Sequence, residues 1–334
     1  MIRTFKLKHG LDLELDLRKA RQVAEFALKT RTLSTADVKQ FGLRSRIAQG
    51  VLRKYSRNKK LKEVGSVKLT INNPTGFSVG NEWNVSIPDL KLVFSIPKPY
   101  RERFQKINQI EFDSKYAFFS CTFEDKPEYK PSSWIGVDRN TTGHVTVAGS
   151  PSNSKAWVFG AKIPHIHQKY LGLRRNLQKK GLYRVVKKIR NRESRIVRDL
   201  THKVSRSIVN LAKSQNSGIK IEWLRGIRNS SRWRSGRLHS WNPFQLEQQI
   251  LYKSRLEGVP VTYVDARGTS KDCSRCGCVG LRQGNLFKCS NCGRVGNAHV
   301  NGAFNIAQRP SIPTSALKMQ SRRAGTDSAQ RATR

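Results

Sequence analysis

CSRCGCVGLRQGNLFKCSNCGRVGNAHVNGAFNIA, residues 273–307, joins two signals in one run. Cys273 and Cys276 are followed by twelve residues and then by Cys289 and Cys292. A CxxC turn presents two sulfurs about 2.3 Å from one ion, and two such turns complete the tetrahedron that Zn²⁺ prefers. The spacing therefore assigns a structural zinc ribbon with no open catalytic position. Cys278 is a fifth thiol beside the set and a substitute ligand at most. Cys121 lies in an apolar strand and is expected to pack. The end of the run, NAHVNGAFNIA, reads as a helix of small residues carrying Asn301 and Asn305, beginning where the ribbon stops.

Outward from this run, the chain is long and basic. Its 334 residues carry 64 Lys and Arg against 23 Asp and Glu, a formal charge of +41. Such an excess repels itself unless a polyanion neutralises it, and nucleic-acid phosphates supply that with salt-dependent affinity. No apolar run approaches the roughly 18–20 residues of a spanning helix, no lipidation signal is present, and MIRTFKLKHG lacks the apolar block of a signal peptide. No membrane partner is expected. Cysteines spaced for metal rather than for disulfides fit a reducing cytosol.

Periodicity divides the chain. Residues 2–9 alternate like a strand, and Leu13 to Lys29 repeats apolar residues at helical spacing. Ser34 with Asp37 is positioned to cap a second helix running to about Tyr55. SVKLTI, WNVSI, KLVFSI, NQIEF and YAFFSCTF then read as strands between 66 and 124, separated by turn residues. DKPEYKPSS (125–133) reads as a linker. WIGVDRNTTGHVTVAG gives two strands around an NTTG turn, with AWVFGA as a third. A basic helical region spans about Gln168 to Lys213, in which Leu182, Val185, Val186, Ile189, Val197, Leu200, Val204, Ile208 and Leu211 keep one face dry. Arg174, Arg175, Lys179, Lys180, Arg184, Lys187, Lys188, Arg190, Arg192, Arg195 and Arg198 cover the rest. With almost no acid to balance them, they are candidates for a nucleic-acid backbone. GIKIE is a short strand ending on an acid. A polar loop with Trp233 and Trp241, a helix from Pro243 to Leu256 and a strand VPVTYVDA follow. The tail from Arg309 is expected to be disordered.

Asp138 ends one strand, Glu222 ends another, and a helix start follows the ribbon. Acids at neighbouring strand ends with a third ligand on a helix are how an RNase H-like fold builds a two-metal site for phosphodiester hydrolysis. Together with the ribbon, the stretches IGVDRN, IEWLRGIR, DARGTSKDCSRCG, KCSNCG and HVNGAFNIA resemble the TnpB family, transposon-encoded RNA-guided nucleases related to type V CRISPR effectors. The resemblance covers nearly the whole chain and implies an α+β multidomain protein. A β-barrel wedge (1–10 and 60–126) would carry a helical recognition insert (11–59). A RuvC-like core (127–267, with basic helices 164–214) would be interrupted by the zinc ribbon (268–296) and completed by 297–309, with a basic tail at 310–334. By matching motifs the catalytic trio would be Asp138, Glu222 and His299, with Asp138 and Glu222 holding Mg²⁺ or Mn²⁺. Arg267, before the ribbon and beside the expected site, would either contact a phosphate or serve a structural role at the strand end. The implied partners are a guide RNA with its scaffold and double-stranded target DNA beside a short adjacent motif, in a prokaryotic cytosol or nucleoid. Nothing in the residues fixes an oligomeric state.

His299 departs from the pattern, which has Asp before Val-Asn. Imidazole removes a negative charge from a site for hard, oxygen-preferring Mg²⁺ and suits Mn²⁺ better. Asp265 and Asp272 are the nearby acids, at motif positions that do not suit compensation. The first reading is therefore an RNA-guided DNA-binding protein with cleavage weakened or lost. The second is an active endonuclease with an Asp–Glu–His site. An RNA-independent transposase and a zinc-ribbon DNA-binding protein are the readings from other classes. The charge yields one expectation. Stripping bound RNA at low salt lowers the melting temperature or causes aggregation, measured by differential scanning fluorimetry and light scattering. An RNA-free preparation as stable as the complex counts against a polyanion partner.

Overall fold

The computed structural model describes residues 2–72, 76–80, 84–97, 104–139, 146–224 and 243–313. The NTTG turn, the loop with Trp233 and Trp241, and residues 314–334 lie outside the described residues. The chain divides at Glu124/Asp125 into two compact units, and the fold is mixed α+β. Among the described residues no helix is long and apolar enough to cross a membrane.

In the first unit, β1 (Ile2–Lys8) is followed by α1 (Glu14–Thr30), which buries Ala20, Val23, Ala24 and Ala27 at helical spacing. The expected second helix is broken. A 3-10 turn at Ala36–Phe41 stops at Gly42, whose φ of 64° ends the turn, and α2 begins only at Ser45 and runs to Ser56. Asp37 does not cap it; its carboxylate accepts from the Thr32 hydroxyl at 2.5 Å. Strands β2 (Leu69–Asn72), β3 (Ser78–Val79), β4 (Asn84–Ile87), β5 (Leu92–Ser95), β6 (Phe104–Phe112) and β7 (Tyr116–Phe123) complete the unit. They form one antiparallel sheet in the order β1-β7-β6-β2 and another in the order β3-β4-β5. Cys121 is fully buried in β7, and burial pushes its thiol up to about 12, so it packs and does not react.

The second unit opens with the stretch read as a linker, which is instead strapped to the core. Lys126 N donates to the Arg255 carbonyl at 3.1 Å, Tyr129 N to Gly258 O at 3.1 Å, and the Tyr129 hydroxyl to Ser217 O at 2.9 Å. Tyr129 gives this polar stretch the apolar anchor that composition alone hid. Strands β8 (Ser133–Arg139), β9 (Thr146–Ser150) and β10 (Lys155–Phe159) form an antiparallel meander. Helices α3 (Lys162–Lys179) and α4 (Tyr183–Ser214) form a hairpin, broken at Gly181 with φ 69°. Strand β11 (Ser217–Glu222) then joins parallel to β8. After α5 (Pro243–Glu257), β12 (Val261–Val264) joins parallel to β11, giving the order β10-β9-β8-β11-β12.

Strand alternation divides this sheet into two faces. Ile135, Val137, Ile219 and Ile221 point to a core with Val204, Ile208, Val209, Ala212, Leu246 and Ile250 of α4 and α5. Gly136, Asp138, Lys220 and Glu222 alternate with them and so lie on the opposite face, where the last helix docks. Between the two comes a small antiparallel sheet, β13 (Leu281–Gln283), β14 (Leu286–Lys288) and β15 (Val295–Asn297), leading straight into α6 (Ala298–Gln308). The chain after α6 is not free from Arg309 onward: Ile312 N donates to Tyr263 O at 2.7 Å. The apolar stripe of α4 is buried only towards its C-terminal half. Leu182 and Val185 stand 46% and 40% exposed, and the helix joins the sheet-side core only from Val197 onward.

Helix α6 sits so close to β8 that a Cβ on Gly136 would fall inside the Ala303 carbonyl oxygen and the Ala307 nitrogen. Gly136→Ala is therefore expected to cost roughly 1–3 kcal/mol by overpacking, about 2–4 °C of melting temperature per kcal/mol for a unit of this size. Gly172→Ala, in α3 with open space around it, should gain about 0.4–1 kcal/mol. Scanning calorimetry on the two variants checks both signs, and a Gly136→Ala protein that melts with the parent contradicts the close seat.

Candidate functional site

The β8–β11 ladder ends at Val137↔Ile221, so Asp138 and Glu222 are the next residues on two adjacent strands. Arg139 folds back across this end. Its Nη2 donates to the Glu222 carbonyl at 2.6 Å and its Nη1 to Glu247 Oε2 at 2.6 Å, while the Tyr263 hydroxyl holds Glu247 Oε1 at 2.7 Å. Arg139 and Glu247 are buried, and breaking one partner of such a pair costs far more than the pair contributes. Glu222 is also buried, and the Thr269 hydroxyl donates to its Oε1. Desolvation first, and the Asp138 charge second, push the Glu222 carboxyl up to about 7. The Thr269 hydrogen bond and the charges of Arg139 and Arg309 pull the other way without winning.

The structure brings His299 to Asp138. Asn297 caps α6, its side-chain oxygen accepting from His299 N at 2.9 Å and Val300 N at 3.3 Å, which fixes the first turn. His299 Nδ1 lies 2.9 Å from Asp138 Oδ2. A carboxylate only accepts, so this nitrogen carries the proton and donates. Nε2, unprotonated in this tautomer, accepts from Arg282 Nη2 at 3.3 Å; Asn285 Oδ1, also an acceptor, lies at the same distance without a hydrogen bond to it. Both imidazole nitrogens are engaged. Among the described residues, the four cysteines form the one group of three or more His, Cys, Asp or Glu ligand atoms drawn together. Asp138, Glu222 and His299 thus share one end of the sheet without converging as a trio.

The structure gives Asn301 and Asn305, named from the sequence without a role, their function in the fold. Asn305 Nδ2 donates to Thr269 O (2.9 Å) and Asp272 O (2.7 Å). Asn301 donates to Asp272 O (2.7 Å) and accepts from Ser274 N (2.9 Å). Both pin the loop entering the ribbon. Arg309 clasps the same loop from outside, donating to Asp265 O at 3.0 Å, to Arg267 O and to Asp272 Oδ2 at 2.7 Å. Asp272 is therefore paired and Asp265 exposed, so neither acid adds to the Asp138–Glu222 pair. The Arg267 side chain is exposed.

Cys273, Cys276, Cys289 and Cys292 have all their sulfurs within 4.8 Å of one another, with Cys273–Cys292 at 3.6 Å and Cys276–Cys289 at 3.5 Å. A tetrahedron with metal–sulfur bonds of about 2.3 Å has sulfurs roughly 3.8 Å apart, so the set fits one tetrahedral ion. Cys278 is exposed and outside the group.

On the helical hairpin, Arg174 is committed inward, paired with buried Glu193, which also holds His167 Nδ1 at 2.7 Å. The other ten basic residues singled out from the sequence, from Arg175 to Arg198, are exposed. Lys188, Asn191, Arg192 and Arg195 recur at helical spacing on one exposed face of α4.

A family model described as Cas12f1-like, TNB domain, matches residues 244–306. A TnpB-like protein of Methanocaldococcus jannaschii is 34% identical over 159 residues, covering 44% of this chain and 57% of that one. A CRISPR-associated endodeoxyribonuclease Cas12f1 of Sulfoacidibacillus thermotolerans is 31% identical over 192 residues, covering 52% of this chain and 44% of that one. The chain thus spans about half the length of these curated relatives. In the cryo-EM structure of a Cas12f1–sgRNA–target DNA complex, the protein chain matches with a TM-score of 0.58 at 14% identity over 89% of this chain and 82% of that one, a likeness of fold.

The raised Glu222 carboxyl has a testable sign. Its folded value, about 7, exceeds its ordinary value of 4.5, so the folded state loses stability as pH rises between the two. In buffer without divalent cations, Glu222→Gln should stabilise little at pH 4.5 and by on the order of 1–3 kcal/mol at pH 8. Melting temperatures of both proteins across that range check it, and a pH-independent difference contradicts the assignment.

Proposed function

From a chain that belongs to the TnpB family, kin of the type V CRISPR effectors, we propose an RNA-guided double-stranded DNA-binding protein whose cleavage is weakened or lost. Base pairing to the guide would choose the target, beside a short adjacent motif, and the protein would hold backbones. The exposed bases of α3 and α4 and the net charge support the RNA and DNA partners. In this reading Asp138, Glu222 and His299 occupy the three catalytic positions of a RuvC-like, RNase H-like core, 127–267 and 297–309. Residues 1–124 are the wedge with its helical insert. The four cysteines hold a structural Zn²⁺, a closed set with no vacancy for water.

The observation that carries the weakened cleavage is His299 Nδ1 on Asp138 Oδ2. Mg²⁺ or Mn²⁺, when bound, supplies an activated water and steadies the leaving oxygen. The residues that would hold it are Asp138 and Glu222, whose mutual repulsion a cation relieves. Three features oppose that binding. One Asp138 oxygen is already taken by a donor. The Glu222 carboxyl must give up a proton whose release is disfavoured near neutral pH. The third position offers an imidazole with both nitrogens engaged in place of a carboxylate.

The active Asp–Glu–His endonuclease remains the second reading, favoured by Asp138 and Glu222 standing at adjacent strand ends. One experiment separates the two: cleavage of double-stranded DNA matched to the co-purified RNA, with Mg²⁺ and with Mn²⁺, by the parent and by His299→Asp. Tight binding without cutting in the parent, and a gain on the order of 10–100-fold or more in His299→Asp, as for changes at a metal's supporting partners, is expected. Cutting by the parent that Asp138→Ala abolishes establishes the active enzyme instead. Joining of transposon ends without RNA would sink both.

A further inference from the structure

Helix α4 outruns the sheet it packs on. Its 32 residues span roughly 48 Å at about 1.5 Å each, and its core contacts begin at Val197. Towards the turn into α3 the apolar residues stand open: Leu182 at 46%, Tyr183 at 67% and Val185 at 40%. A periodic stripe that continues past its core has an unburied apolar face, and a contiguous apolar patch rimmed by charge marks a contact surface. Around it stand exposed Lys179, Lys180, Arg184, Lys187 and Lys188, and from Lys162 to Arg192 the chain has no Asp or Glu.

We infer that the tip of the α3–α4 hairpin is a stacking surface for unpaired nucleotides, with Tyr183 and Leu182 against base faces and the flanking lysines on the phosphates. The inference rests on the nucleic-acid reading above. A ligand for this tip must combine negative charge with flat apolar faces. Splayed nucleotides do so, whereas an intact duplex hides its base faces inside the stack. Aromatic and apolar side chains take up unpaired or partly unstacked bases whatever their sequence. An acidic lipid surface shares the charge, but it favours a long helix lying flat in the interface. Here the apolar tip is short and leads into a helix half that is buried in protein.

The test is fluorescence anisotropy of the protein, purified with its RNA, on a blunt DNA duplex and on the same duplex with a single-stranded tail, over a salt series. Leu182→Ser/Tyr183→Ala should lose about tenfold or more on the tailed DNA, stay within about twofold on the blunt duplex and keep its salt slope. Tyr183→Phe, which retains the ring, should bind the tail like the parent. Lys187→Gln/Lys188→Gln should weaken both DNAs and lower the slope by roughly 1.4–1.8, at about 0.7–0.9 per phosphate contact. Equal loss on both DNAs, or no loss, in the Leu182/Tyr183 variant overturns the inference. So does loss of sedimentation with phosphatidylserine-containing vesicles while DNA binding holds, which would make the tip a lipid contact. A parent protein that binds neither DNA overturns the nucleic-acid reading itself.

Discussion

The second unit depends on a helix that lies directly on a strand with no side chain between them. Gly136 in β8 and Gly149 in β9 leave room, and Ala303, Phe304 and Ala307 of α6 fill it. Interiors are packed densely enough that this seat fixes the helix in rotation and in height. Rotation matters because one residue is about 100° of helix, so only this seat presents His299 to Asp138. Height is held at both ends: Asn297 caps the first turn, and Lys220 Nζ reaches the Arg309 carbonyl at 2.5 Å at the last. Small residues in HVNGAFNIA are thus the condition for the contact of His299 with Asp138 beside them.

The same seat makes the ribbon and the acidic strand ends one piece. Strand β15 ends on Asn297, which is the cap of α6, and Ala298 N donates to Asn285 O at 2.8 Å. Ribbon side chains Arg282 and Asn285 reach His299, while Asn301, Asn305 and Arg309 hold the loop by which the chain enters the ribbon. A tetrahedral ion between the two CxxC turns would therefore stiffen the support of Asp138 as well as the ribbon itself. Proteins commonly orient reactive groups through such supporting hydrogen bonds.

What the sequence made legible follows from the range of the signal. The cysteines are legible because both turns are local, and Asp138 and Glu222 because each closes an apolar strand run. Thr269, the roles of Asn301 and Asn305, and the Arg139–Glu247–Tyr263 set are not. Their partners lie 16 to 108 residues away in the chain, as Arg139 and Glu247 do, and no local period encodes that. The break at Gly42 shows another limit, since a single left-handed residue outweighs a helical stripe on either side. The exposed start of α4 shows a third: periodicity names the apolar face of a helix but not how far its neighbour extends. DKPEYKPSS is polar by composition, and one Tyr anchors it.

Position 299 itself suits a carboxylate better than an imidazole. It lies in the first turn of α6, where the helix macrodipole favours negative charge, and it faces the Arg282 guanidinium. A guanidinium is a strong, forked donor and a neutral ring nitrogen a single weak acceptor, so Arg282 gains less from His299 than it would from an acid. The Asp138 contact offsets part of this, because the imidazole donates to a carboxylate that otherwise stands against Glu222 alone. His299 thus offers a donor where a carboxylate would offer an acceptor, and it satisfies the charge of Asp138. In metal-free protein that exchange stabilises the sheet end, since three carboxylates there would repel one another. Where a cation is needed, the same hydrogen bond competes with it.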